Sequence, residues 1–259
     1  MLAAQRREFL LARLATDRRV VTADVARELG TPEDTIRRDL RDLAAAGLCQ
    51  RVYGGALPSS PAIADYQTRQ SIQTDGKKLV ARTAAAMISD EHTVLLDGGT
   101  TALEVARALP PALRATIVTH SPTVAAALAE HPAVEIYLLG GRLFKHSVVT
   151  CGAAAVEAAQ GVRADMFFLG VTGVHPDAGL TTGDADEAAM KRALAQRAAE
   201  TYVLASAEKI GTASRFGVLG VEAVAGIITD APDDELLRRL ARATTVLAAG
   251  PGSPGVLSA

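Results

Sequence analysis

The chain has no tryptophan, only four tyrosines and five phenylalanines, and just two cysteines. Cys49 and Cys151 are far apart without metal-ligand spacing, and the five histidines include no pair at zinc-site separation. Neither a disulfide framework nor a metal site is supported, and no cofactor motif is present. The N-terminus lacks the apolar core of a signal peptide, and no stretch approaches the roughly eighteen apolar residues needed to span a bilayer. The expectation is a cytoplasmic protein with no membrane partner. Net charge is almost absent too, at −2. The whole-chain field would not attract nucleic acid, so any such partner must be held by locally placed arginines.

What is present is a chain of 259 residues, 49% of them apolar, enough to bury a core as one or two domains. Its charges are unevenly shared. Residues 1–57 carry ten arginines against eight carboxylates, whereas the remainder carries 17 basic against 21 acidic residues.

The most informative stretch is Thr31-Pro-Glu-Asp-Thr-Ile-Arg-Arg-Asp-Leu-Arg-Asp-Leu-Ala-Ala-Ala-Gly47. Thr31 suits an N-cap, Pro32 the first helical position, Asp34 a capping box and Gly47 a left-handed stop, which predicts a helix over 32–46. At about 100° per residue, Ile36, Leu40 and Leu43 form one buried stripe, and Asp34, Thr35, Arg38, Arg41 and Asp42 face the other way. A first helix is read over 3–16. A shorter one begins at Thr22, a plausible N-cap, and ends at the Gly30 bend, so two helices meet across a tight turn. Residues 49–53 read as a strand and Gly54-Gly55 as a hairpin turn. This is the pattern of a winged helix-turn-helix over 1–57, with the second helix in the major groove of double-stranded DNA. The residues assigned to the DNA are Thr35, Arg37 and Arg38 at base edges, Arg41 and Arg51 on phosphates, and Thr22 at the helix start. An exposed face of mixed arginine and aspartate is otherwise an ordinary solvated surface; the neighbouring helix, turn and hairpin favour DNA.

Pro58-Ser-Ser-Pro61 suits neither helix nor strand, and residues 58–76 are read as a linker. Over 77–248 short apolar strands alternate with helices, which predicts a mostly parallel α/β sheet covered on both faces. The glycine- and proline-rich residues 249–259 read as a disordered tail. In such sheets ligands collect beyond the carboxyl ends of the strands. The loops at those ends are Asp97-Gly-Gly-Thr-Thr101, Thr119-His-Ser121 and Gly140-Gly-Arg142. The first offers glycines for close backbone approach, hydroxyl donors and a following helix N-terminus, which together suit a phosphate. It lacks the Gly-Lys-Ser/Thr ending of a Walker loop. Asp97 would repel phosphate and is assigned to sugar hydroxyls or loop geometry. Glu187 and Lys191, one helical turn apart, and Lys209 could converge on the same place.

Thr35-Ile-Arg-Arg-Asp-Leu40, Leu43, Gly47 and Arg51-Val-Tyr-Gly-Gly-Ala56 resemble the signature of the DeoR family of bacterial sugar-operon regulators. Asp97-Gly-Gly-Thr-Thr101, Gly140-Gly141, Gly179-Leu-Thr-Thr182 with Glu187 and Lys191, and Lys209-Ile-Gly211 resemble that family's effector domain. The resemblance implies a second domain similar in fold to ribose-5-phosphate isomerase that binds a phosphorylated sugar or related metabolite. It implies an effector set of Asp97, Gly98, Gly99, Thr100, Thr101, Thr119, Ser121, Gly140, Gly141, Glu187, Lys191 and Lys209. Tyr66 and Arg69 fall in the family's connecting segment. Family members often carry aspartate three positions before the last lysine, where this chain has Ser206. The function implied is a transcriptional repressor, at least a homodimer, released from its operator by the effector. The competing reading is a sugar-phosphate isomerase with Glu187 as base and Lys191 or Lys209 as electrophile. A third is an architectural DNA protein whose second domain only oligomerises.

Overall fold

The computed structural model describes residues 2–250 and the backbone of 255–257. The N-terminal unit is α1 (Ala3–Asp17), β1 (Val20–Val21), α2 (Thr22–Glu28), α3 (Glu33–Ala45) and the hairpin β2 (Cys49–Val52) and β3 (Gly55–Pro58). β3 lies between β1 and β2 in a three-stranded antiparallel sheet. Leu10 and Leu14 of α1, Val25 of α2, Ile36, Leu40 and Leu43 of α3, and Ala56 of the wing close one small core. The turns depend on backbone that side chains resist: φ is +57° at Gly30 and +75° at Gly47.

The capping expectations are corrected. The Thr31 hydroxyl donates to the Leu29 carbonyl at 3.2 Å, and extended Pro32 is the residue that precedes α3. Asp34 pairs with Arg37 rather than closing a capping box. Thr22 is the first residue of α2, after the cap position held by Val21.

The stretch read as an irregular linker also folds. Ser60 accepts from the Ala62 N–H and opens a 3₁₀ turn at Pro61–Ile63, and Asp65 accepts from the Thr68 N–H at 2.8 Å and opens α4 (Tyr66–Gln70). Each short polar side chain satisfies a first-turn N–H that the local sequence would otherwise leave bare. A helix α5 (Thr74–Ala85) follows directly.

The second unit continues with β4 (Thr93–Leu96), α6 (Thr100–Ala108), β5 (Thr116–Thr119), α7 (Pro122–Leu128), β6 (Glu135–Leu138), the hairpin β7 (Arg142–Phe144) and β8 (Val149–Cys151), α8 (Ala153–Gln160) and β9 (Ala164–Gly170). Then come β10 (Gly173–His175), β11 (Gly179–Thr182), α9 (Ala185–Ala195), β12 (Ala198–Leu204), β13 (Phe216–Leu219), β14 (Gly226–Thr229), α10 (Glu235–Ala241), β15 (Thr245–Ala248) and β16 (Gly255–Leu257). The main sheet runs β16-β15-β14-β12-β9-β4-β5-β6 and is parallel except for β16. Thus part of the tail read as disordered, residues 255–257, pairs antiparallel with β15. The rest of that tail beyond Gly250 lies outside the described residues.

Successive side chains of a strand point to opposite faces, and the buried runs Val94–Leu96 of β4 and Phe167–Leu169 of β9 are continuously apolar because both faces are covered. Phe167 and Leu169 of β9 enter one core and Phe168 the other; Leu95 and Leu96 of β4 divide in the same way. A small sheet, β10-β11-β13, stands apart from the main one. A parallel bridge between Ser59 and Ala213 joins the end of the wing to the loop before β13. Among the described residues no helix is long and apolar enough to cross a membrane.

Candidate functional site

The chain leaves β4 in one direction through β5 and β6, then returns to the other side of β4 with β9. Connections that diverge from adjacent parallel strands open a crevice at the carboxyl ends of those strands. Asp97 follows β4 at this crevice and Gly170 ends β9. The Asp97 carboxylate is fully buried and accepts four hydrogen bonds: Gly98 N–H at 2.7 Å, Gly170 N–H at 2.8 Å, Lys191 Nζ at 2.7 Å and His120 Nε2 at 2.6 Å. His120 Nδ1 lies 2.7 Å from the Thr150 carbonyl oxygen, which fixes the ring. Burial alone would raise the Asp97 pKa, but the Lys191 ammonium and the His120 hydrogen bond outweigh it and hold the carboxyl well below the usual carboxylate range. Asp97 therefore supports the floor of the crevice from beneath. Both of its oxygens are engaged by the loop and its neighbours, and the residue lies behind the lining of the crevice.

Two glycines make room above it. A Cβ on Gly98 would lie 2.1 Å from Val149 Cγ1, and one on Gly170 would lie 3.0 Å from the Gly98 carbonyl oxygen. Gly99, at φ +100°, turns the chain into α6. The first N–H groups of that helix have no intrahelical acceptor, and its positive end points into the crevice.

Four cations surround this loop. Lys191 is shared with Asp97. Lys209 Nζ reaches Thr101 Oγ1 at 3.4 Å and the Leu204 carbonyl at 3.1 Å, and burial pulls its pKa down to about 8. Lys77 donates to the carbonyls of Arg69, at 2.5 Å, and Ile72. Arg69 Nη2 donates to Ser147 Oγ at 3.2 Å, and its Nε is buried without a partner among the described residues. Two carboxylates face them. Glu187 accepts from the Thr182 hydroxyl at 3.5 Å, and Glu208 Oε1 accepts from Ser206 Oγ at 2.7 Å. Glu208 Oε2 is buried without a partner. The pocket thus offers cationic and N–H donors interleaved with carboxylate acceptors, which suits a ligand bearing both an anion and hydroxyls.

Of the expected effector residues, Gly98, Gly99, Thr100, Thr101, Glu187, Lys191 and Lys209 line the crevice. Four do not. Thr119 is buried with its hydroxyl on the Ser121 N–H, and Ser121 is buried with its hydroxyl against Thr123. Gly140 and Gly141 follow the edge strand β6, two strands from β4, where Gly141 makes room for Ala155 at the start of α8. At about 4.8 Å between strands, that places them roughly 10 Å from the crevice. Arg69, Lys77, Ser147, Gly170, Thr172 and Glu208 line it without having been anticipated. Arg69 comes from a stretch read as connection, Lys77 is the first residue beyond it, and only strand order, invisible in one sequence, brings Gly170 beside Gly98.

In the N-terminal unit Arg38, Arg41 and Arg51 are exposed and pair with no carboxylate among the described residues, and Thr35 is half-buried. Arg37 is occupied on its own helix, with Glu33 at 2.6 Å and Asp34 at 2.9 Å. Thr22 is only 4% exposed and presents little to a partner.

Comparison with known proteins agrees with both halves. Residues 6–61 match the DeoR-like helix-turn-helix domain and residues 72–231 the DeoR C terminal sensor domain. The chain is 31% identical over 88% of its length to a putative aga operon transcriptional repressor of Escherichia coli O157:H7, covering 86% of that protein. It is 32% identical over 82% of its length to the glycerol-3-phosphate regulon repressor of Escherichia coli strain K12, covering 85% of it. Ribose 5-phosphate isomerase A of Methanocaldococcus jannaschii resembles half of the chain, with 51% of that protein covered, at 18% identity and a TM-score of 0.38. The two family matches and the relatives together make this chain a DNA-binding transcriptional regulator of the DeoR family rather than an enzyme.

Proposed function

We propose that the chain represses an operon of sugar or polyol metabolism and leaves its operator when a phosphorylated sugar or polyol fills the crevice between β4 and β9. One observation carries this reading. Two buried polar atoms of opposite kind, the Arg69 Nε donor and the Glu208 Oε2 acceptor, belong to residues of the same pocket and lack partners among the described residues, beside the N-terminus of α6. Buried polar atoms without partners are rare in native proteins, and a ligand with a phosphoryl group and free hydroxyls would satisfy both. The relative that represses a glycerol-3-phosphate regulon supports the same ligand class.

The DNA-reading unit is residues 1–57, with Thr35 and Arg38 at base edges and Arg41 and Arg51 on phosphates. Arg37 joins them once it gives up Glu33 and Asp34. The sensing unit is residues 77–248, with 58–76 between. A homo-oligomer, at least a dimer, sets two copies of α3 against half-sites about 34 Å apart or a multiple of that. The effector shifts the balance between operator-matched and mismatched arrangements by no more than its differential affinity for them, typically about 1–3 kcal/mol. By linkage the operator weakens effector binding by the same factor.

The test is dissociation of the complex between the full chain and an operator selected from random duplexes. Glycerol-3-phosphate, fructose-1-phosphate and tagatose-6-phosphate are the first probes. Release by one of them, without isomerisation of the compound, is the expected result. Tighter DNA binding would make the effector a co-repressor, and indifference to every phosphorylated compound would end the sensor reading.

A further inference from the structure

The segment joining the two units is a wall of the pocket. It is fixed there by Lys77 on the carbonyls of Arg69 and Ile72, by the Tyr66 N–H on the His146 carbonyl at 2.8 Å, and by His146 Nε2 on the Ile63 carbonyl at 3.0 Å. From this wall the Arg69 guanidinium reaches over the ligand loop. Its Nη1 lies 3.9 Å from the position a Cβ on Gly99 would take. Of the five N–H groups on a guanidinium, one is used, on Ser147 Oγ. No carboxylate among the described residues pairs with it, and its Nε is buried and bare.

From this geometry we infer that Arg69 is a phosphoryl ligand supplied by the interdomain segment, and that its engagement is the step by which occupancy of the pocket reaches the DNA reader. The inference rests on the sensor reading above and adds the residue and the route. An arginine suits this place because its planar fork can grip two oxygens of a phosphoryl group while the helix N-terminus and Lys209 hold others. A group that contacts the ligand from the connecting segment differs in kind from Lys191 or Lys209, which belong to the sensor alone. When Arg69 closes on an anion, residues 61–72 move with it. The same segment begins two residues after Ser59, which bridges Ala213 at the end of the wing. Pocket and wing also meet through the sensor, because Thr172 in the pocket donates to Ser214 Oγ at 2.6 Å, one residue beyond that bridge.

The experiment uses the full chain, its selected operator, and inorganic phosphate, glycerol-3-phosphate, fructose-1-phosphate and tagatose-6-phosphate as probes, with binding read by calorimetry and release by anisotropy. Arg69→Gln should weaken the best probe roughly 10- to 100-fold, and Arg69→Lys, which keeps the charge but not the fork, should lose less. At probe concentrations that saturate Arg69→Gln, release from the operator should remain below that of the wild type. Hydrogen exchange of wild-type residues 61–72 should slow when the probe is added, a readout that does not depend on the variant folding. Wild-type affinity in Arg69→Gln, or unchanged exchange in 61–72 at saturation, overturns the inference while leaving the sensor reading intact. A wild-type chain that binds none of the probes overturns both.

Discussion

Arg6, in α1, donates to the carboxylate of Asp39, in α3, the helix proposed to read DNA, and Asp39 is only 3% exposed. The aspartate of the Arg-Arg-Asp run therefore points inward, with Arg7 Nε also 3.5 Å from it. It holds α1 across the back of α3, and its charge does not oppose phosphate. Removing one partner of a buried pair leaves the other uncompensated, so Asp39→Asn should cost on the order of 3 kcal/mol in chemical unfolding. Replacing Arg6 and Asp39 together with methionine should recover most of that loss. A double-variant loss equal to the sum of the two single losses would show that the pair does not matter.

Arg38 is exposed on the opposite face and carries the first test of DNA reading. Arg38→Ala should lower operator affinity by about 1–3 kcal/mol and relax preference at one base pair. Arg51→Ala, on the wing, should weaken all duplexes alike and flatten the salt dependence. Gel-shift titrations at two salt concentrations separate these outcomes.

Lys209 should give two pH dependences of opposite sign. Its folded pKa is about 8, below the unfolded value of about 10.4. Between those values the unfolded state holds more protons, so this lysine's contribution to stability rises as pH increases through that window. Anion affinity should fall over the same window, as the ammonium is lost from the pocket. Binding of the active phosphorylated probe measured from pH 7 to pH 10 should show this decline in the wild type, and Lys209→Met should flatten it.

Gly170→Ala tests the crevice by volume alone. The added Cβ would press on the Gly98 carbonyl at 3.0 Å and approach Asp97 Oδ2 at 3.3 Å. The sensor should lose its effector response while the operator is bound with near-normal affinity. Loss of both would mean that this glycine serves the whole fold.

The parts of this design visible in one chain are those set by local spacing. The stripe of Ile36, Leu40 and Leu43, the glycine at position 47 and the alternation of apolar strands with helices lead directly to the reader and the doubly covered sheet. The loop from Asp97 to Thr101 is legible for the same reason, since glycines and hydroxyls before a helix form a local motif. What escaped depends on which strands lie side by side. Gly140 resembles Gly98 in its surroundings along the chain, yet it follows an edge strand, whereas Gly98 lies where the winding reverses. The burial of Asp97 is not legible along the chain because its hydrogen-bond partners His120 and Lys191 are 23 and 94 residues away. Arg69 was passed over because proline and serine around residue 60 read as slack chain, although Ser60 and Asp65 cap both turns that follow.

The folded connecting segment decides how regulators of this kind can be recombined. A hybrid that grafts this reader onto a foreign sensor, with the seam near residue 76, would take Arg69 away from Lys77 and from its own pocket. Such a hybrid should grip its promoter and ignore the metabolite. With the seam moved to Pro58, the strap travels with the sensor that it closes, and inducibility should be inherited along with it.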